Sequence, residues 1–222
     1  MKPATLLSLL FAFFCAACGA SAAPSDGNGS AAAEGTVAAA PAAPGEAIAI
    51  FAGGCFWCME GPFEALAGVS EVLSGYTGGT EPHPTYQEVG SGSTGHCEAV
   101  LVRYDPKQVT YKQLVELYWR TMNPTDAGGQ FADRGTQYRP AIFVSTPEER
   151  ATAEASRAEL EAEKRFDEPI VVPVEQAGTF WVAEDYHQDY YKTHALNYST
   201  YRSLSGRKGF LTKKWGIDVG SH

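Results

Sequence analysis

The chain has 222 residues and a formal net charge of −9. An acidic chain lacks the basic face that non-specific nucleic-acid binding requires, so the composition argues against that class of function. The length allows one domain with a sizeable core in addition to terminal segments.

Residues 1–22 have the features of an export signal. Lys2 supplies the positive start, and the apolar core at 6–14 is too short to span a bilayer. Two cleavage patterns remain open. Residues 20–22, Ala-Ser-Ala, fit ordinary signal cleavage, whereas residues 15–19, Cys-Ala-Ala-Cys-Gly, resemble a bacterial lipobox that would place lipid on Cys18. We therefore expect an exported protein of the periplasm or cell envelope, with or without a lipid anchor.

The next segment, residues 23–46, is rich in Ala, Gly, Pro and Ser and predicts a flexible linker. The folded domain is predicted at 47–222. It holds three of the five cysteines, Cys55, Cys58 and Cys97. An odd number of cysteines in an exported domain argues against a disulfide scaffold and favours a functional role.

Hydrophobic periodicity and turn residues predict alternating strands and helices along the domain. The first elements are a strand at 47–52, a helix at 55–66 reshaped near Gly61-Pro62, strands at 69–76 and 98–104, and a helix at 111–122. A strand at 141–144 and a helix follow; the helix starts at the Thr146-Pro147 capping sequence and ends near 165. The last elements are a strand at 170–174 and a helix at 183–194. The loops at 80–95 and 123–139 are long enough to predict a functional role. The alternation predicts an α/β or α+β sandwich.

Residues 53–60 read Gly-Gly-Cys-Phe-Trp-Cys-Met-Glu and form the predicted strand-to-helix junction. Cys55 would lie at the first turn of the helix, where free N–H groups and the helix dipole stabilise a thiolate. Phe56 and Trp57 predict a substrate with an apolar part. The C-x-x-C spacing alone leaves open a redox dithiol, half of a zinc site or two buried thiols. Zinc is disfavoured because no second C-x-x-C or close His pair completes a ligand set.

Four further segments complete a wider pattern: 83–86 (His-Pro-Thr-Tyr), 92–98 (Gly-Ser-Thr-Gly-His-Cys-Glu), 133–139 (Asp-Arg-Gly-Thr-Gln-Tyr-Arg) and 183–190 (Ala-Glu-Asp-Tyr-His-Gln-Asp-Tyr). Together with the Gly-Cys-Phe-Trp-Cys motif, these resemble the A-type peptide-methionine sulfoxide reductases over about residues 48–190. The resemblance implies an α+β fold, a two-layer α/β sandwich with a mixed sheet and a ferredoxin-like core. It also implies reduction of the S-epimer of methionine sulfoxide, free or in proteins, with a thioredoxin-like electron donor and no cofactor or metal.

The resemblance assigns a role to each matching residue. Cys55 would attack the sulfoxide sulfur, Phe56 and Trp57 would form the pocket for the methyl group, Glu98 would supply a proton to the oxygen, Tyr86 and Tyr138 would donate hydrogen bonds to that oxygen, and Asp133 would orient the substrate. The attack would leave a sulfenic acid on Cys55.

In many relatives the cysteines that recycle the sulfenic acid lie in the C-terminal tail. Residues 195–222 of this chain contain no cysteine, which is a departure from that pattern. Cys58 is the natural resolving cysteine, since at i+3 it lies roughly 5–6 Å from Cys55. Cys97 is the alternative, although a strand that points Glu98 into the site points Cys97 to the opposite face. His187 is predicted to pack in the core. A general thiol–disulfide oxidoreductase and a metal-binding lipoprotein remain rival hypotheses.

Overall fold

A computed structural model describes residues 36–220. The predicted export signal, including Cys18, and residues 23–35 of the predicted linker lie outside the described residues. Within residues 36–220, no helix combines the length and apolar character that a membrane crossing requires.

Seven of the strands within residues 36–220 form the sheet around which the fold is organised, and two others pair separately. The strands are β1 (Val37–Ala38), β2 (Ala47–Gly53), β3 (Val69–Thr77), β4 (Cys97–Tyr104), β5 (Gly129–Gln130), β6 (Asp133–Arg134), β7 (Pro140–Val144), β8 (Val174–Gln176) and β9 (Trp181–Val182). The sheet order is β1-β9-β3-β4-β2-β7-β8, while β5 and β6 form a separate ribbon. The β7–β8 pair is parallel and the other pairs of the sheet are antiparallel, so the sheet is mixed as predicted.

The helices are α1 (Trp57–Glu64), α2 (Tyr86–Gly90), α3 (Tyr111–Trp119), α4 (Pro147–Ala162), α5 (Tyr190–Thr193), α6 (Ala195–Leu204) and α7 (Arg207–Trp215), with 3-10 turns at Thr136–Tyr138 and Asp185–His187. The chain order β2-α1-β3-β4-α3-β7 and the spatial order β3-β4-β2-β7 match the predicted ferredoxin-like core.

One face of the sheet carries the helical layer. Phe51 of β2 stacks on Phe63 of α1 and on Tyr118 of α3, with ring centroids 5.2 Å apart in both pairs. The opposite face buries a smaller cluster that includes Ile50, Cys97 and Phe180. The alternation of side chains along β2 and β4 therefore separates two apolar clusters. The α+β sandwich predicted from the sequence is confirmed.

The prediction of a flexible linker does not hold for residues 36–46. β1 pairs with β9, and Thr36 Oγ1 donates a hydrogen bond of 2.9 Å to the carbonyl of Pro84. The Arg103 guanidinium donates to the carbonyls of Ala40 and Pro41 at 2.7 and 2.9 Å. This segment lacks large apolar side chains, but its backbone groups supply the hydrogen bonds that hold it to the sheet.

Two predicted elements differ from the structure. The predicted strand at 170–174 is wrong, because pairing with β7 begins only at Val174, after Pro173. The predicted helix at 183–194 is broken: a 3-10 turn ends at His187 and Asp189 adopts a left-handed φ of 54° before α5. The Gln188 side-chain amide bonds to the backbone of Ser74 at 2.9 and 3.0 Å, so tertiary hydrogen bonds override the helical pattern here.

Candidate active site

The site is built on the turn between β2 and α1. Gly54 has a φ of +84°, and a Cβ at this position would lie 2.5 Å from Cβ of Gln130, so the turn requires glycine. Cys55 follows directly, and α1 begins at Trp57. Cys55 is 6% exposed and Cys58 is fully buried. Both thiols are unpaired, as is Cys97.

Glu98 faces this turn from β4. Its carboxyl Oε2 accepts a hydrogen bond of 3.0 Å from the backbone N–H of Phe56, next to Cys55. The side chain is 2% exposed, and burial raises the pKa of Glu98 to about 8. Glu98 is therefore largely protonated at neutral pH and can donate a proton beside the thiols.

Tyr86 and Tyr138 line the same site from α2 and from the 3-10 turn before β7. Burial raises the pKa of Tyr86 to about 12, with further contributions from Glu98 and Cys55. Burial, Glu98, Tyr86 and Cys55 also raise the pKa of Tyr138. These couplings place both phenols close to the acid and the nucleophile. Both hydroxyls stay protonated at neutral pH and are available as hydrogen-bond donors.

Phe56 and Trp57 belong to an aromatic cluster around His187. The Trp57 indole stacks on Tyr190 with centroids 3.8 Å apart, and its Nε1 donates to Nδ1 of His187 at 3.3 Å. The Phe56 ring lies 5.0 Å from the His187 ring and Tyr86 lies 4.4 Å from it. Burial lowers the pKa of His187 to about 4. A neutral His187 can accept from Trp57, which fixes the two aromatic rings predicted to bind the methyl group.

Glu184 connects this cluster to the rim of the site. Its Oε1 accepts from the backbone N–H of Tyr86 and its Oε2 accepts from the hydroxyl of Tyr76, each at 2.9 Å. The sequence segment 183–190 therefore positions Tyr86 and Trp57. Among residues 36–220, no group of three His, Cys, Asp or Glu side chains is arranged to hold a metal ion.

Asp133 approaches from β6. Its carboxyl accepts a hydrogen bond from the Tyr201 hydroxyl of α6. Burial raises the pKa of Asp133, while the Tyr201 hydrogen bond and Arg207 act in the opposite direction. Asp133 acts on both thiols electrostatically, so it lies within the site. Tyr201 was missed by sequence reasoning, although its spacing from buried Tyr198 and Arg202 on one helix indicates an inward face.

The two thiols are electrostatically unequal. The Cys55 and Cys58 side chains interact with each other, and the interaction shifts their pKa values in opposite directions. Burial, the interaction with Cys58, and Glu98 raise the pKa of Cys55. The interaction with Cys55, together with Arg207 and Arg202, lowers the pKa of Cys58. The sequence predicts a thiolate at Cys55; in the substrate-free site, burial raises the pKa of Cys55, whereas the pKa of Cys58 is lowered.

Cys97 lies on the other face of the sheet, within the second apolar cluster. Its Sγ donates to the carbonyl of Thr77 at 3.5 Å, and burial raises its pKa to about 12. Glu98, the next residue along β4, faces the thiols. The strand alternation therefore separates Cys97 from Cys55.

A cysteine at a strand-to-helix turn, a buried carboxyl, two phenols and a cluster of aromatic rings on an α+β scaffold form a candidate site for a thiol-dependent oxidoreductase whose substrate has a polar oxygen and an apolar group. A sequence profile described as peptide methionine sulfoxide reductase matches residues 47–219. The chain belongs to this family and is an A-type methionine sulfoxide reductase.

Relatives and solved structures agree. The chain is 52% identical over 167 residues to peptide methionine sulfoxide reductase MsrA of Listeria innocua, covering 75% of this chain and 94% of the relative. It is 53% identical over 167 residues to the Streptococcus pyogenes MsrA, covering 75% and 98%. Methionine sulfoxide reductase A of Corynebacterium diphtheriae matches with a TM-score of 0.61 and 34% identity over 69% of this chain and 77% of that one. Reduced Mxr1 of Saccharomyces cerevisiae matches with a TM-score of 0.65 and 26% identity over 70% and 90%.

Proposed function

We propose that this enzyme reduces the S-epimer of methionine sulfoxide, free or in proteins, through attack by Cys55 and recycling through a disulfide with Cys58. The observation that carries the proposal is the buried, protonated Glu98, which accepts the Phe56 N–H at 3.0 Å beside Cys55. A sulfoxide with its methyl group against Phe56 and Trp57 would direct its oxygen toward Glu98, Tyr86 and Tyr138. Asp133 would orient the rest of the substrate.

The first step needs a thiolate on Cys55. Because the Cys55 and Cys58 side chains interact with each other, the Cys58 thiolate can accept the Cys55 proton as the substrate binds. Cys55 then attacks the sulfoxide sulfur, and Glu98 delivers a proton to the oxygen. The substrate S–O bond and the transient bond between the two sulfurs then break, the oxygen forms a new S–O bond to Cys55, and the products are methionine, a sulfenic acid on Cys55 and a Glu98 carboxylate. The carboxylate then takes the proton from the Cys58 thiol, which restores the Cys58 thiolate.

Recycling proceeds through Cys58. Its thiolate attacks the Cys55 sulfenic acid, the S–S bond forms, and the hydroxyl leaves as water with a proton from Glu98. A dithiol donor of the thioredoxin type then reduces the disulfide. Residues 195–222 contain no cysteine, and Cys97 lies on the opposite face of the sheet, which supports Cys58 as the resolving residue.

The proposed place of action is the periplasm or cell envelope, where the enzyme would repair oxidised exported proteins. The support is the export-signal pattern of residues 1–22, with Cys18 as the site of lipid attachment. Incorporation of labelled fatty acid into the chain, and its loss in Cys18→Ser, would establish the anchor. Recovery of the unlabelled chain in a soluble periplasmic fraction would contradict it.

The catalytic proposal is tested with purified protein and the two epimers of a methionine sulfoxide peptide. With dithiothreitol, we expect turnover of the S-epimer only, and none in Cys55→Ser. Without reductant, Cys58→Ser should still form one equivalent of methionine, but thioredoxin-driven turnover should stop. Absence of activity on the S-epimer would refute the proposed reaction. A block of cycling in Cys97→Ser in place of Cys58→Ser would show that the resolving cysteine is misassigned.

A further inference from the structure

Arg207, the first residue of α7, is a buried cation beside the active-site turn. Its side chain is 1% exposed. Nη1 donates to the carbonyl of Thr121 at 2.5 Å, and Nη2 donates to the carbonyl of Gly53 at 3.1 Å. The guanidinium carbon lies 4.8 Å from the centroid of the Phe131 ring. The C-terminal segment therefore inserts a charged group into the protein at the point where β2 ends.

Arg207 forms no close ion pair. Among residues 36–220, no Asp or Glu oxygen lies within 4.0 Å of its nitrogen atoms, and its hydrogen bonds go to neutral carbonyls. A guanidinium stays protonated in proteins. A buried charge is costly unless an opposite charge lies near it. The position of Arg207 therefore favours negative charge on the groups around it, which include the Asp133 carboxyl and the dithiol.

The guanidinium also contacts the turn that leads to the two thiols. In addition to its hydrogen bond to Gly53, Nη2 lies close to Gly54: a Cβ built on Gly54 would be 2.8 Å from Nη2. Gly54 immediately precedes Cys55, and Cys58 lies in the first turn of α1. The cation is thus placed against the backbone of Gly53 and Gly54, directly before the Cys55–Cys58 pair.

The charged and titratable groups around Cys58 come from several elements. They are Cys55 from the turn, Glu98 from β4, Asp133 from β6, Tyr198, Tyr201 and Arg202 from α6, and Arg207 from α7. Glu98 is protonated, and Asp133 is the anion that opposes a second negative charge. Arg202 is paired with Asp218. Arg207 forms no ion pair within residues 36–220, and the interaction with Cys55, together with the fields of Arg207 and Arg202, lowers the pKa of Cys58, while Asp133 acts on Cys58 in the opposite direction.

We propose that Arg207 is a positioning residue that holds Cys58 as a thiolate, so that the C-terminal segment contributes a cation to recycling. The proposal rests on the proposed role of Cys58 as the resolving cysteine. The thiolate attacks the sulfur of the Cys55 sulfenic acid, the S–S bond forms and the S–O bond breaks. The Cys58 sulfur is oxidised, the Cys55 sulfur is reduced, and the hydroxyl takes the Glu98 proton to leave as water.

The first test is a thiolate titration by absorbance near 240 nm on the full chain with Cys55→Ser, since serine keeps a hydrogen-bond donor beside Cys58. Subtracting the Cys55→Ser/Cys58→Ser protein isolates the Cys58 signal from the other cysteines. We expect a midpoint below the ordinary thiol value of about 8.5. Adding Arg207→Met should raise the midpoint, and Arg207→Lys, which keeps the charge, should raise it less. A Cys58 midpoint above the ordinary value with Arg207 intact would overturn the proposal without relying on any Arg207 variant.

The matched control is Arg165→Met. Arg165 also supports the C-terminal segment, through a bond of 3.0 Å to the Lys214 carbonyl and a guanidinium 4.3 Å from the Trp215 ring centroid, but it does not face the thiols. A role of Arg207 in anchoring α7 alone would make Arg165→Met and Arg207→Met behave alike. Equal midpoints in Arg207→Met, Arg207→Lys and the unsubstituted background would also overturn the proposal.

The second test separates the two chemical steps in single-turnover reactions. Arg207→Met should form one equivalent of methionine but form the Cys55–Cys58 disulfide more slowly, by about tenfold for each unit by which the Cys58 pKa rises, at a pH below that pKa. This deficit should shrink as pH rises. A deficit independent of pH would overturn the role of Arg207. Failure of the unsubstituted protein to form methionine would instead refute the proposed function, and methionine formation without a Cys55–Cys58 disulfide would refute Cys58 as resolver.

Discussion

Glu98→Gln offers a direct test of the proton donor, because it removes the acid while keeping the side-chain shape. The glutamine carbonyl can still accept the Phe56 N–H that Glu98 Oε2 accepts at 3.0 Å. The backbone turn should therefore keep its geometry. A positioned general acid contributes roughly 10²- to 10⁴-fold to a rate. We expect methionine formation in a single turnover to slow by at least about 100-fold, or about 2.7 kcal/mol at 1.36 kcal/mol per tenfold.

The pH dependence sharpens this test. Burial raises the pKa of Glu98 to about 8, so the carboxyl holds its proton at neutral pH and loses it as pH rises through about 8. The single-turnover rate of the unsubstituted enzyme should therefore fall on the alkaline side, and the Glu98→Gln enzyme should lack this limb. The assay is methionine formation from an S-epimer peptide without reductant, measured across that range.

Glu60→Gln is the matched control. Glu60 is a fully buried carboxyl of α1 whose pKa burial also raises to about 8, but it contacts the backbone N–H of Asp189 at 3.3 Å rather than the thiols. Glu60→Gln should keep the alkaline limb. The assignment of Glu98 is refuted if Glu98→Gln slows methionine formation by less than about tenfold, or if the limb disappears in Glu60→Gln and persists in Glu98→Gln.

Three further substitutions test the surroundings of the site. His187→Leu leaves the Trp57 indole N–H without the acceptor found at 3.3 Å; the cost of about 1–3 kcal/mol should appear as a lower kcat/KM and Tm, which His187→Gln should partly restore. Equal losses in both variants would argue against the hydrogen bond. Tyr201→Phe removes the donor to Asp133 and should raise KM more than it lowers kcat, whereas an unchanged KM would separate Asp133 from substrate orientation. Cys97→Ala should lower stability by about 1 kcal/mol through a small cavity and leave thioredoxin-driven cycling unchanged, and a loss of cycling would contradict the assignment of Cys58.

The parts of the fold that local signals specify are those that the sequence predicts. The apolar run at 47–52 followed by two glycines became β2 and the tight turn, where Gly54 has a φ of +84°. The Thr146-Pro147 capping sequence became the start of α4, with Thr146 Oγ1 accepting the Glu149 N–H at 3.1 Å. In these segments, hydrophobic periodicity and capping agree with the tertiary structure.

The contribution of the C-terminal segment could not be predicted in the same way. Residues 195–215 are rich in polar side chains, and the sequence predicts that an arginine in such a segment is exposed to solvent. Arg207 is buried because carbonyls 86 and 154 residues earlier in the chain accept its hydrogen bonds. Tyr201 reaches Asp133 across 68 residues. Local spacing can indicate that Tyr201 lies on an inward face, but it does not identify a partner this far along the chain, so these contacts emerge only from the packing of α6 and α7 on the site.

The distribution of charge between the thiols shows why this packing matters for the chemistry. A helix N-terminus favours a thiolate at Cys55, but burial and Glu98 raise the pKa of Cys55, whereas the interaction with Cys55, together with Arg207 and Arg202, lowers the pKa of Cys58. One negative charge is enough for the dithiol, and the proposed cycle uses it twice. It moves to Cys55 for the attack on the sulfoxide, then returns to Cys58 once the Glu98 carboxylate takes the Cys58 proton. A cation at Cys58 therefore favours the attack of Cys58 on the sulfenic acid but makes it harder to form the Cys55 thiolate that attacks the sulfoxide. The proton held by Glu98 offsets this cost because it stabilises the sulfoxide oxygen during the first attack.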